Sequence, residues 1–416
     1  MTPAGRIDPL GVDPPAGWRE TPPADAGAIR ARFAAVEPYT VGIEEELMLL
    51  DPLTLDVAPL IGRALAATGD DPRYKPELPA GQIEIVTPVC RTVPEAAWHL
   101  AHARGDLVGA LAGEARLFAA GTHPFARMPL AITEGERYEQ IAQEYRWAAP
   151  RGLCCGLHVH VAVPDADRAL AVVNAVRSYL PAIAALAANG PFLEGGDTGL
   201  ASVRPKLCEG FPRQGVPPAF ATLDDLIAFL EWGRSSGSFP DASHLWHEVR
   251  LHPGHGTVEV RVPDMQTRVE DTAAVAAVVH ALIVDLAERH RRGEILAVHR
   301  QEQIEENRWR SLRHGLRGRL ADGATGVEME TREVLRCLLD DLEPTAAQLA
   351  CEADLTHART LIAGNGADRQ RAVHAVRGMH GLVRWIADET ATIDVCASPP
   401  RAHRRPQAQA DVAGRP

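Results

Sequence analysis

Lysine is almost missing from this chain: Lys75 and Lys206 are the only two in 416 residues, and arginine supplies the rest of the positive charge. A solvated strand face usually carries some lysine. Its scarcity here follows from the composition of the whole chain, so a lysine-poor polar face is not by itself a signal. Cysteine is also sparse. The seven residues (90, 154, 155, 208, 337, 351, 396) show no CxxC spacing and are odd in number. That argues against a disulfide framework or a zinc knuckle and fits a reducing cytoplasm. The first residues contain no apolar stretch of the signal-peptide kind. The most apolar helical stretch, AAVAAVVHALIVDLA (273–287), is too short and too alanine-rich to span a bilayer comfortably and reads as a buried helix, so no membrane partner is expected. An excess of positive charge is absent too. The formal net charge of −12 speaks against a nucleic-acid partner. Finally, no P-loop is found and no GxGxxG opens a helix, which leaves a Walker or Rossmann nucleotide site without support.

What the chain does have is an ordinary globular composition, 46% hydrophobic and 24% charged, enough for a sizeable core. Residues 1–30 and 398–416 are rich in Pro, Ala and Gly or Arg and are expected to be disordered tails. Between them, 31–397 reads as a single domain. Strand-like runs fall near 40–50, 82–87, 116–120, 156–163, 246–252 and 257–262, with PGHG (253–256) as a hairpin turn between the last two. Helix-like runs fall near 93–114, 134–148, 166–188, 222–232 and 268–291. Thr92 with Glu95 makes a capping-box signature, and Asp165 is placed to cap the third helix. From about residue 300 the pattern is helix only. The fold class is therefore α+β: one mostly antiparallel sheet of about six strands, helices on its apolar face, and a helical C-terminal part. The segment 189–220 is rich in Gly and Pro, without a period. A loop of that length is usually functional, and its Arg, Asp and Phe argue for an ordered binding loop.

The strand-like runs share one pattern. Glu44 and Glu46, Glu84, His158 and His160, Glu248 and Arg250, and Glu259 and Arg261 occupy alternate positions, with Ile or Val between them. Residues two apart on a strand share a face, so one sheet would gather carboxylates, imidazoles and guanidiniums on one surface. Each pair is weak alone. Seventeen histidines in 416 residues give about 0.7 chance HxH occurrences, and a solvated antiparallel face is the plainer reading of any single pair. The set is harder to dismiss, because clustered carboxylates raise one another's pKa and are costly to bury unpaired. Divalent cations would resolve the repulsion, and a mostly carboxylate donor set favours Mg²⁺ or Mn²⁺ over Zn²⁺. Several carboxylates suggest more than one ion around a polyphosphate. Arg204, Arg213, Arg250 and Arg261 could neutralise remaining phosphate or carboxylate charge. Glu45 breaks the alternation and must point to the apolar side or sit at an edge. Cys154 and Cys155 read as packed strand residues, His123 as a turn hydrogen-bonder, Trp309 as core, and Arg310 and Arg313 as a solvated helix face.

Eight motifs in order, VGIEEEL (41–47), QIEIVTPV (82–89), GTHP (121–124), GLHVHV (156–161), GDTGLASVRP (196–205), FPRQGVPP (211–218), GTVEVRVPD (256–264) and ENRWRSLRHGL (306–316), together resemble the bacterial type 2 glutamate–cysteine ligase, or carboxylate–amine ligase, family, over about 38–390. The resemblance implies a glutamine-synthetase-like fold, a curved sheet forming an active-site funnel, and ATP-dependent amide formation with Mg²⁺. It implies Glu44, Glu46, Glu84 and Glu259 as metal ligands, His158 and Arg261 as ATP or phosphate contacts, and Arg204 in the loop that reaches the amino acid or the phosphoryl group. Beside these, His158 is a candidate metal ligand, His160 and Arg250 are candidate ATP or phosphate contacts, and Arg261, Arg204 and Glu248 are the candidate catalytic residues. Gly190 and Leu200 depart from the family's usual Ser and aromatic residue, which bears on substrate identity. The expected reaction transfers the ATP γ-phosphoryl to a carboxylate and lets an amine displace phosphate. Glu248 is a candidate base, although a structural pairing with Arg250 serves it equally well, and 189–220 is a candidate lid. The expected partners are small amino acids and amines, with a homodimer as an option. Two other readings compete: a zinc hydrolase using the HxH pair, and a non-catalytic ligand-binding relative.

Overall fold

A computed structural model describes residues 24–393. Its centre is a seven-stranded, fully antiparallel sheet. The chain enters it at β1 (Val41–Leu50), then β2 (Tyr74–Pro76), β3 (Gln82–Val86), β4 (Arg116–Phe118) and β5 (Leu157–Ala162). A two-residue pair, β6 (Phe192–Leu193) and β7 (Gly196–Asp197), lies outside the sheet; β8 (Val249–His252) and β9 (Thr257–Val260) complete it. The order is β2-β3-β1-β5-β9-β8, with β4 beside the far end of β1. All six expected strands are present. The seventh, β2, is three residues long and ends in proline, too short for an alternation to show.

Helices cover the apolar face, as expected. The helix Val269–Arg291 runs through the core with nearly all of its first four turns buried, packed against Val93–Ala110, Ala166–Val176 and β5. Thr92 caps its helix by accepting from the Glu95 N–H, while Glu95 reaches back to the Arg91 N–H. Asp165 caps Ala166–Val176 through the N–H groups of Asp167 and Arg168. Ala166–Leu186 is long and apolar enough to cross a membrane by composition, yet 83% of that window is buried inside the fold.

Three expectations need correction. The tail predicted to end near residue 30 overlaps the helix Ala26–Ala34, which Asp25 caps and which buries Ile29 and Phe33; residues 1–23 and the predicted tail 398–416 lie outside the described residues. The C-terminal part is not helix only. β10 (Arg319–Ala321) and β11 (Glu328–Glu330) form a small hairpin, closed by the Asp322 carboxylate, which accepts from the N–H groups of Ala324 and Thr325. Asp-Gly turn chemistry was the available signal. Third, 189–220 holds β6, β7 and the short helix Arg204–Cys208, and Arg371 clamps its Asp197.

Glu45 points to the apolar side. It is fully buried beneath β1, where Arg104 donates to both of its oxygens at 2.7 Å and Thr272 adds a third hydrogen bond. Arg104 spends its remaining donors on the carbonyls of Gln266 and Thr267. Every charge in this group has a partner.

Candidate functional site

The opposite face of the same strands is polar, and the strand register explains how. Glu46 lies across from Glu84, Glu44 from His158, and His160 from Glu259, which also faces Arg250. Four distant segments therefore deliver their alternate side chains to one floor beneath a cavity of about 480 Å³. Arg204, Glu248 and Arg308 line its wall.

Charge on the floor is unevenly balanced. On the β8–β9 side, Glu259 is fully buried and held by two guanidiniums, Arg250 at 2.5 Å and Arg261 at 2.6 Å. Burial pushes its carboxyl up, but Arg250, His160 and Arg261 outweigh this and hold it well below the usual range. Its Oε1 accepts from both arginines and its Oε2 from Arg250 alone, which leaves a lone pair on Oε2. In the middle, Glu44 sits 3.2 Å from His158 Nδ1 and 3.3 Å from His160 Nε2. Burial opposes its ionisation, but the two imidazoles bring it well below the ordinary value. Burial lowers the pKa of His158, with Arg261 adding to the effect; His160, next to Glu259 and Glu44, is raised despite its burial.

On the β2–β3 side the balance fails. Glu84 has only Lys75, at 3.9 Å. Burial and the charges of Glu44 and Glu77 drive its carboxyl well above the usual range. Glu77, half-buried beside Glu46, is pushed up to about 8 by desolvation and then by that carboxylate. Glu46 accepts from the Gly156 N–H at 2.5 Å. Two imidazole nitrogens, His158 Nε2 and His160 Nε2, are buried without a well-formed hydrogen bond, 3.7 Å from Glu46 and 3.3 Å from Glu44 respectively. Glu44, Glu84 and His158 bring one ligand atom each within 4.8 Å of one another; so do Glu44, His160 and Glu259. Excess carboxylate with orphaned imidazole nitrogen is the environment that a divalent cation relieves, so the residues fit Mg²⁺ or Mn²⁺.

All the predicted floor residues meet here: Glu44, Glu46, Glu84, His158, His160, Arg250, Glu259 and Arg261. The wall departs from expectation. Glu248 pairs with Arg308, at 2.7 Å, and not with Arg250. Arg204 lines the cavity but spends two donors on the carbonyls of Arg261 and Val262; a Cβ on Gly156 would fall 2.2 Å from its guanidinium, so that glycine makes room for it. Arg213 turns away and donates to Tyr145 Oη and the His244 carbonyl. The two imidazoles of the HxH pair fall in different ligand clusters, which disfavours a single zinc held by both. Cys154 is half-buried and lines the cavity, whereas Cys155 is packed as expected. His123 bonds the Leu55 carbonyl, and its burial lowers its pKa to about 4, as befits a structural histidine. Trp309 is 45% exposed and not core.

Two residues escaped the sequence reading. Glu77 sits in PELP, just before β3 and outside any alternation. Arg308 left a trace: it shares the buried stripe of the helix Gln301–His314 with Ile304, Ser311 and Leu312. A charged residue on an apolar stripe needs a partner, and here the partners are Glu248 and Glu209.

A second cavity of about 420 Å³ adjoins the first at Glu44, Lys75 and His255 and is walled by apolar residues such as Val36, Val41 and Val86.

Residues 40–389 match the model of the family described as Glutamate-cysteine ligase family 2. A curated relative from Rubrobacter xylanophilus, named "Putative glutamate--cysteine ligase 2-3", is 40% identical over 87% of this chain and 100% of its own length. One from Sorangium cellulosum, "Putative glutamate--cysteine ligase 2", is 37% identical over 85% of this chain and 96% of its own. Among solved structures, the glutamate–cysteine ligase of Francisella tularensis in complex with AMP superposes with a TM-score of 0.64 at 10% identity, over 86% of this chain and 90% of that one. A bifunctional glutathione synthetase from Pasteurella multocida gives 0.60 at 14% identity, over 88% of this chain and 54% of that one.

Proposed function

We propose, starting from a chain that belongs to glutamate–cysteine ligase family 2, that it joins the carboxylate of an amino acid to an amine at the expense of ATP, through an acyl phosphate. The observation that carries this reading is the uncompensated carboxylate cluster. Glu84 and Glu77 stand beside Glu44 and Glu46 with one distant lysine, while Arg261, Arg204 and Arg308 line the same cavity. Such a floor suits magnesium-bound polyphosphate, and the arginines suit a second anion. The Francisella relative holds AMP, and the apolar second cavity is the place for a base in this chain. Residues 31–397 act in this reading as one catalytic unit.

Glu44, Glu46, Glu84, Glu77 and His158 would hold Mg²⁺, with Glu259 and His160 available to a second ion. An ion held by these residues would supply charge neutralisation for a bound polyphosphate. The chain's own groups do the rest. Arg261 stays protonated, because the Glu259 and Glu46 carboxylates raise it against its burial, and it faces the space where phosphoryl charge develops. Arg204 braces the turn after β9 through two carbonyls and so fixes Arg261. Arg308 locks Glu248 into the wall. A carboxylate resists attack because it is anionic and resonance-stabilised; phosphorylation supplies a leaving group, and the amine then displaces phosphate. The segment 189–220 shields this step from water.

Incubating the protein with ATP, Mg²⁺, glutamate and a panel of amines that includes cysteine tests the reading. Phosphate should be released only when acid and amine are both present, and product mass should equal their sum less water. No amine-dependent turnover across the panel would defeat it.

A further inference from the structure

Cys154 and Cys208 are 54 residues apart in sequence, yet their Sγ atoms lie 3.1 Å apart on the cavity wall. Both are half-buried and face a space that small solutes can enter. They are the only sulfur–sulfur contact among the described cysteines; Cys90, Cys155 and Cys351 are buried elsewhere, and Cys337 is exposed. A disulfide needs a bond of about 2.05 Å, so about 1 Å of approach joins these two.

The two sulfurs sit on unlike supports. Cys154 is fixed to the sheet end: its N–H donates to the Gly152 carbonyl and its carbonyl accepts from Gln82. Cys208 ends the short helix Arg204–Cys208, whose first residue braces the turn after β9 and whose next residue, Glu209, accepts from Arg308. A bond between them would tie the cavity's covering segment to its floor.

We propose that Cys154 and Cys208 form a reversible disulfide that fixes this segment and slows turnover at the site; the second half rests on the ligase reading above. The oxidant is a hydroperoxide. The Cys208 thiolate attacks the peroxide oxygen and becomes a sulfenic acid as hydroxide leaves. The Cys154 sulfur then attacks the sulfenic sulfur, loses its proton and expels water. In sum, two thiols and hydrogen peroxide give one disulfide and two waters, and an external dithiol reverses the reaction. Either sulfur can donate the hydrogen bond between them; that bond and Arg204 act to lower the Cys208 pKa, while Cys154 is raised by the same bond and by burial, so Cys208 takes the first attack. A low pKa and access mark the attacking thiol.

The full-length protein is reduced, desalted, treated with equimolar hydrogen peroxide and alkylated, and its peptides are mapped by mass. The expected product is a peptide pair joined through Cys154 and Cys208, lighter by two hydrogens and restored by dithiothreitol. Limited proteolysis within 189–220 should slow at least tenfold in the oxidised protein, and amine-dependent phosphate release should fall at least tenfold and recover on reduction. The Cys208→Ala variant should yield no linked pair and no peroxide-dependent change in proteolysis. If peroxide modifies Cys337 while Cys154 and Cys208 stay unlinked, the disulfide is refuted. If the link forms but proteolysis and phosphate release do not change, the bond is real and its control of the site is refuted. Because mapping and proteolysis need no turnover, they judge the disulfide even where the ligase reading fails.

Discussion

Glu44, Glu45 and Glu46 follow one another on β1, and the strand sends them to opposite worlds. Glu45 enters the helix-covered side and finds Arg104, Thr272 and complete burial. Its neighbours enter the cavity, where Glu46 faces Glu84, and Glu84 has little positive charge to meet. Identical side chains thus serve as a closed structural pair on one face and part of an open, anion-rich site on the other. The unpaired side is where a cation has something to gain, since an electrostatic debt within the fold becomes affinity for what settles it.

The comparison predicts different kinds of damage on the two faces. The largest effect should come from Glu45→Ala, which strands the buried Arg104 guanidinium; a loss of about 3–5 kcal/mol in unfolding free energy is expected, measurable by denaturant titration. Glu84→Gln should behave in reverse. It removes a carboxylate whose ionisation the fold opposes, so metal-free stability should hold or rise, while kcat/KM falls about 10³-fold, or ~4 kcal/mol. Equal destabilisation by both variants would erase the distinction between the faces. Arg308→Lys keeps the charge but loses the fork that grips Glu248 and Glu209; a loss of about tenfold to a hundredfold in kcat/KM with a folded far-UV spectrum is expected.

A smaller effect concerns pH. The Glu77 carboxyl titrates at about 8 in the folded chain against an ordinary 4.5. The folded state therefore keeps a proton that the unfolded chain has released, and its stability falls as pH rises across that interval. His123 and His247, lowered to about 4 by burial, and His252, lowered to about 3, act oppositely. Their contribution is complete only about one unit above 6.5, once an unfolded histidine has lost its charge. From about pH 7.5 to 8 the Glu77 sign remains alone among these four groups. Mg²⁺ should thus raise Tm more at pH 8 than at pH 6.5, by about 2 °C. Equal gains at both pH values would remove the cation from the Glu77 side. Trp309→Ala marks the floor of the scale: the ring is 45% exposed, and a change within about 0.5 kcal/mol is expected.

Much of the site was legible because period-two alternation survives in short strands. Glu44, Glu46, His158, His160, Glu259 and Arg261 announced a face before any register was known. Glu77 did not, since a residue between Pro76 and Pro79 belongs to no repeat. Arg308 was obscured by the charged residues around it, and Trp309 was misplaced because a tryptophan near a helical stripe reads as core until the stripe's direction is known. The exchange of partners among Glu248, Arg250, Glu259 and Arg308 was beyond sequence reasoning. Each carboxylate had more than one candidate arginine, and only distance chooses between them.

The amino-acid order alone determined which residues share a strand face, because side chains alternate whatever the strand packs against. It also determined the family, through eight motifs kept in order. Tertiary structure decided which face became core and which became cavity, which carboxylates were neutralised by arginine, and which two cysteines came to lie 3.1 Å apart. Most of those outcomes depend on contacts between distant segments, such as Glu45 with Arg104, 59 residues away, and Glu248 with Arg308, 60 residues away. No local preference encodes such contacts, because they arise when strand register and helix packing are satisfied together.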